Sequence, residues 1–455
     1  MESLKRWARS LPQRHGKRTL ILLALILVLG FGLRAYRVVE PLATPGDDAR
    51  AYYALASSLY EEGSYGGPGF RDASDWSPGA PLLYAASFYA TDGAREGTAR
   101  IVELLLGLAA ILVVYLLGRR LNCRPAGLIA AFGVAVYPPF IHSTGALFSE
   151  PPAIFTLPAA VLAFLWASEQ RRLRAWLLPG LLFGLTALIR PDYLPVGIAF
   201  AILAAIRIGR ERGWRPGLAG AALFLAALLA PIVPWTVHNQ IVLDRTVPIS
   251  TGGGKALYVG TYLPADGEYQ RVKADLAERY LGRDLEPGSP ALDRVDPRPL
   301  FDRVWRTSHP DLPRDEALGK VGRDNLSKYL GEDPLGYAGM TVRKVWRMWS
   351  AGIGEAMESG PGRVVQVLLV LLGLAGLGLL GLRDRWWQLV AMATPIVIVT
   401  AVGAASLAAP RRNEILMTLI FPLAGVALAR AGAATGAAIS SSRRWSSRQA
   451  SSPQS

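Results

Sequence analysis

Apolar residues gather in runs along this chain instead of recurring at even spacing. Ten stretches of about 17 to 22 residues are nearly free of charge, at roughly 19–38, 101–118, 125–142, 152–168, 175–190, 193–208, 217–236, 363–382, 386–408 and 412–430. About 20 apolar residues wound as a helix cross the hydrocarbon core of a bilayer. The pattern therefore predicts an all-α integral membrane bundle of about ten transmembrane helices. The first run, "TLILLALILVLGFGLRAY", follows basic residues as a secretion signal does, but it exceeds a signal core and no small-residue cleavage site follows, so a retained helix is expected.

Two long polar segments interrupt the runs, at 39–100 and 237–362. The second is of mixed charge with Gly, Pro and Trp, and reads as a small mixed external domain. Its stretch "DEALGKVGRDNLSKYLGEDPLGYAGMTVRKVWRMW" predicts two amphipathic helices broken at Asp333-Pro334, the later one rich in Trp and Arg as interfacial helices are. The expected organisation is a basic cytoplasmic amino terminus (1–18), a membrane module (19–236), the external domain (237–362), further membrane helices (363–430) and a disordered tail (431–455).

Charge changes the picture only through its placement. The net charge of +14 invites nucleic acid as a partner, yet with the amino terminus inside, 22 of the 49 Lys and Arg residues fall in cytoplasmic segments. Membrane topology accounts for that asymmetry, and no nucleic acid is needed. Cys123 is the lone cysteine and the four histidines lack metal-ligand spacing. No internal repeat of the kind that marks many secondary transporters is found.

The candidate chemistry lies at external helix ends. Asp47 and Asp48 in "TPGDDARAYYALA" start a stretch with Tyr52, Leu55, Ala56 and Leu59 at helical spacing. One of them serves equally well as an N-cap or as a general base kept ionised by the helix terminus. Glu150 precedes Pro151-Pro152 at the start of a span, where a helix-start acid is the plainer reading. Arg190 has Asp192 two residues away, so a local pair or snorkelling competes with anion binding. Arg411 and Arg412 stand on the side that the positive-inside rule disfavours, which points to a held anion. Gly252-Gly253-Gly254 with Lys255 is a weak phosphate cradle and more often a flexible turn.

These segments together resemble the GT-C superfamily of membrane glycosyltransferases, in the bacterial branch related to protein O-mannosyltransferases and lipid A aminoarabinose transferases. The resemblance runs over residues 30–430 and is carried by "GDDARAYYALASSL", "SPGAPLLYAASFYATDGAREGTARIVELLLGLAAILVVYLLGRRL", "LFSEPP", "ALIRPDYL", "PWTVHNQIVLDRTVPISTGGGKALYVG" and "PRRNEILMTLIFPLAGVAL", in that order. It implies a GT-C fold in the cell membrane and inverting transfer of a sugar from a polyprenyl-phosphate carrier to a lipid, glycan or protein acceptor at the outer face. It further implies Asp47 as base with Asp48 beside it, Glu150 at the acceptor, and Arg190, His238, Lys255, Arg411 and Arg412 around the donor phosphate. His238 stands where many relatives have Arg, and Asn413 and Glu414 follow Arg412 where relatives often have an aromatic. No cofactor is required by the resemblance, although a divalent metal held by Asp47 and Asp48 stays open. A transporter or flippase of a lipid-linked sugar, and a noncatalytic relative, are the alternatives.

Overall fold

The computed structural model describes residues 16–39, 47–66, 73–382 and 385–450. The side chains of Asp47, Glu355 and the residues after 435, and with them the expected base, lie outside the described residues.

Ten helices correspond to the ten apolar runs. They are α1 (Lys17–Val39), α4 (Glu96–Leu121), α5 (Arg124–Val136), α7 (Glu150–Ala167), α8 (Leu177–Ile189), α9 (Leu194–Arg212), α10 (Trp214–Leu243), α18 (Gly360–Gly381), α19 (Trp386–Ala405) and α20 (Pro410–Ala450). Two short helices, α2 (Asp47–Glu61) and α3 (Gly79–Thr91), follow α1, and α6 (Pro138–Ser143) follows α5. The segment between α10 and α18 contributes α11 (Gly253–Thr261), α12 (Tyr269–Leu281), α13 (Pro290–Asp293), α14 (Pro297–Ser308), α15 (Arg314–Glu332), α16 (Pro334–Ser350) and α17 (Glu355–Glu358). Among the described residues every regular element is helical. The break expected at Asp333-Pro334 is present, and Asp333 caps α16 by accepting from the Gly336 N–H at 2.8 Å.

Among the described residues eight helices are long and apolar enough to cross a membrane, and α5 and α8 are shorter. Isoleucines, leucines and valines such as Ile21, Leu25, Val28, Ile202, Val365 and Leu368 stay exposed on the bundle's outside, where a lipid solvent accepts them. α7 and α20 run through the middle, and the Glu150–Ala167 window is 78% buried against 22% for α1. α8 and α10 approach closely because Gly180 and Gly184 lie one turn apart on their contact, where a Cβ would collide with the carbonyls of Phe224 and Leu228.

One sequence expectation needs correction. The run at 125–142 is not one span: α5 stops at Val136, because Pro138 and Pro139 lack the N–H groups that would bond to the carbonyls of Val134 and Ala135. Arg34 of α1, which is 1% exposed, supplies those bonds, from Nη2 to Val134 O at 2.9 Å and from Nη1 to Ala135 O at 2.9 Å. The last helix is one element from Pro410 to Ala450.

The segment after α10 has a core of its own, built on Val259, Val272, Leu276, Leu300, Phe301 and Leu318. It is tied to the turn before α3 by hydrogen bonds between Thr251 and Ser74 and by Arg314, whose Nη1 lies 2.9 Å from Asp75 Oδ2. This layer therefore sits over the end of the bundle where α2, α7 and α20 begin.

Candidate active site

Four side chains from four separate parts of the chain meet at that end. α7 begins with Glu150, fully buried, whose Oε1 accepts from Arg190 Nη1 at 2.7 Å. Arg190 stands between α8 and α9, held there because Pro191 ends α8 and starts a short 3₁₀ turn. Arg411, in the first turn of α20, bonds both Glu150 oxygens, through Nε to Oε1 and through Nη2 to Oε2 at 3.0 Å, and its Nη1 bonds Asp48 Oδ2. A bidentate arginine on one carboxylate with a third bond to another is a strongly directional arrangement. The Phe148 ring lies 4.8 Å from the Arg411 guanidinium carbon and completes its seat.

Electrostatics explains why so many charges coexist. Asp192 Oδ1 lies 3.4 Å from Arg190 Nε, and Arg412 acts on Asp192 through its charge. Three carboxylates, Asp48, Glu150 and Asp192, thus face three guanidinium groups, Arg190, Arg411 and Arg412. Burial alone would raise the Asp48 carboxyl, but the Arg411 charge and hydrogen bond, with Lys255 further off, hold it below the usual aspartate value.

The two candidate arginines separate in role. Arg411 enters the carboxylate cluster, while Arg412 turns to Ser406, with Nη1 at 3.4 Å from its Oγ. Of the other expected phosphate contacts, Lys255 lies with its Nζ 5.8 Å from the centre of the Phe301 ring and acts on Asp48 only through its charge. The glycine run before it is no open cradle, because the Asp315 carboxylate already accepts from the Gly252 and Gly254 N–H groups, both at 2.8 Å. His238 stacks on Trp235 with ring centres 4.7 Å apart, and no described contact joins it to the cluster.

Sequence reasoning missed the parts that hold the cluster in place. Glu103 of α4 is fully buried and accepts from Tyr84 Oη at 2.5 Å and from the Gly145 N–H at 2.7 Å. The same Tyr84 hydroxyl lies 2.7 Å from Phe148 O, so the two residues fix the loop that delivers Phe148, Ser149 and Glu150. An acid inside an apolar run was the available signal. Glu414, one turn beyond Arg411, is 1% exposed and its two oxygens lack hydrogen-bond partners among the described residues. Nor do three metal-ligating side chains gather anywhere among those residues.

Residues 75–235 match the family model of dolichyl-phosphate-mannose-protein mannosyltransferases. That stretch includes Glu150 and Arg190 and excludes Asp48 and Arg411. No curated protein matches the sequence. Among solved structures, the chain is similar to the archaeal oligosaccharyltransferase AglB from Archaeoglobus fulgidus in complex with an inhibitory peptide and a dolichol-phosphate, with 15% identity and a TM-score of 0.54 over 91% of this chain and 50% of that one. The apo form of the Archaeoglobus fulgidus oligosaccharyltransferase gives 17% identity and a TM-score of 0.55 over 90% and 50% of the two chains. The chain thus spans about half the length of the solved proteins it matches. Its fold is the GT-C bundle that the sequence resemblance implies.

Proposed function

We propose that the chain is an inverting glycosyltransferase that moves a sugar from a polyprenyl-phosphate carrier to a hydroxyl of a lipid, glycan or protein acceptor, at the external face of the cell membrane. The observation that carries this reading is the convergence of Asp48, Glu150, Arg190 and Arg411 at one end of a GT-C bundle.

The chemistry needs a base on the acceptor and cations on the leaving group. The acceptor oxygen bonds the anomeric carbon as the bond from that carbon to the phosphate oxygen breaks. The acceptor proton passes to a carboxylate, and polyprenyl phosphate leaves with its added negative charge. Asp48 is poorly suited to be the base, because the arginine that keeps it ionised also occupies its oxygen. Asp47 is left as the base and Asp48 as the group that orients Arg411. Arg411, Arg190 and Arg412 are the cations that stabilise the departing phosphate. Asp48 is committed to Arg411, so the arrangement does not fit a metal held by Asp47 and Asp48, and no step runs through one.

The test uses purified protein in lipid with radiolabelled polyprenyl-phosphate sugars and membrane extract as acceptor. Asp47→Asn is expected to lower transfer by about 10²-fold or more with donor binding retained, the size of effect that removal of a general base gives. Asp48→Asn is expected to weaken donor binding as well, since Arg411 loses an anchor. Movement of donor across the bilayer without any sugar transfer, unchanged in both variants, would overturn the reading in favour of a transporter.

A further inference from the structure

α2 separates two different environments. Asp48, on one flank, meets Arg411, whereas Ala49, Arg50 and Tyr53 line a cavity of about 170 Å³ on another flank. The cavity's other lining residues are Gly145 to Leu147 and, from α4, Glu96 and Arg100. Its volume holds about five or six waters, which suits one small polar group.

The cavity is a built feature. Two of its lining residues stand in left-handed backbone, with φ of 81° at Gly145 and 57° at the buried Leu147. A non-glycine residue there is strained and persists only where its surroundings impose it. Glu103 imposes it here, by accepting from both the Gly145 and Leu147 N–H groups. The same loop continues into Ser149 and Glu150, so the cavity and the carboxylate cluster share one wall.

Its charge is unbalanced. Arg100 is buried and paired with Glu96 on its own helix. Arg50 is exposed and forms no hydrogen bond or ion pair with any described residue. Tyr53 donates its hydroxyl proton to Ala94 O at 3.0 Å and so offers its oxygen as an acceptor. A guanidinium without a partner among the described residues, beside an accepting phenol, suits an oxyanion that carries a neighbouring hydroxyl.

We propose that this cavity binds a small anionic group, a carboxylate or a phosphate, through Arg50, and that during transfer the group belongs to the acceptor. The second half rests on the glycosyltransferase reading. An acceptor spanning the start of α2 would place its acid at Arg50 and its reacting hydroxyl on the flank of the carboxylates.

The site-resolved test is phenylglyoxal labelling of Arg50 in the full-length protein, read by peptide mass spectrometry, in nanodiscs of phosphatidylcholine. Inorganic phosphate and acetate are expected to protect Arg50 at least threefold over chloride of equal ionic strength. Equal labelling in all three would overturn the site. Protection in phosphatidylglycerol nanodiscs without added anion would assign the cavity to a lipid headgroup and overturn the acceptor half. In the transfer assay Arg50→Gln is expected to raise KM for the extract acceptor about tenfold with donor KM unchanged, and Arg50→Lys to recover part of it. Equal KM values in Arg50→Gln and wild type would also overturn that half. If wild type transfers no sugar at all, the transferase reading fails while the labelling still decides the cavity.

Discussion

Lys344 is fully buried, and its ammonium donates to Gly260 O at 2.6 Å and Ser406 O at 2.9 Å. It therefore clamps α16 to the end of α11 and to the turn that leads into Arg411. Burial, with Arg347 and Arg412 nearby, pushes its pKa down from 10.5 to about 8. Below pH 8 the side chain is charged in both folded and unfolded chains, and the fold bears the full cost of burying that charge. Between about 8 and 10.5 the folded chain has released the proton while the unfolded chain still binds it, so stability rises with pH across that window. Thermal unfolding of wild type and Lys344→Met at pH 7.5 to 10.5 checks this: the wild-type midpoint should gain on the variant as pH rises, and parallel curves would refute it. The sequence exposed Asp48, Glu150, Arg190 and Arg411 because each is a charge stranded at the edge of an apolar run. It hid Lys344 because its partners are carbonyls of residues 84 and 62 positions away, and periodicity holds no trace of such contacts.

At the scale of the element, hydropathy located all ten apolar helices because burial in lipid demands the same composition whatever the neighbours. It could not see where one of them breaks, since a window average treats Pro138 and Pro139 as merely two residues. The break is stabilised by Arg34, which fits against α4 because a Cβ at Gly107 would lie 2.8 Å from its Nε. Replacing Arg34 by Leu strands two carbonyls, at a cost of roughly 2–4 kcal/mol for the pair. A lower midpoint and lower yield are expected. Converting Pro138 and Pro139 to Ala in the Arg34→Leu background restores the missing N–H donors, so part of the loss should return. A double-mutant cycle on thermal stability measures this coupling, and strict additivity would show that Arg34 acts elsewhere.

For the whole molecule, the helices sort polar groups to two ends. Asp48, Glu150, Arg190 and Arg411 share one end with the layer built from α11 to α17. The other end gathers basic groups: Arg120 lies 2.6 Å from Glu169, Arg385 donates to Leu121 O at 2.6 Å, and Arg430 to Asn122 Oδ1 at 2.7 Å. Positive residues held at one end are the mark of a cytoplasmic face, so the carboxylate cluster should open to the outside. The chain carries its own reporter of this orientation, because its lone cysteine, Cys123, is partly exposed in the turn between α4 and α5 at the basic end. A membrane-impermeant maleimide should label Cys123 in inside-out vesicles and leave it untouched in right-side-out vesicles until detergent is added. The reverse pattern would place the cluster in the cytoplasm, where an extracellular acceptor has no access to it, and would require a cytoplasmic hydroxyl as substrate.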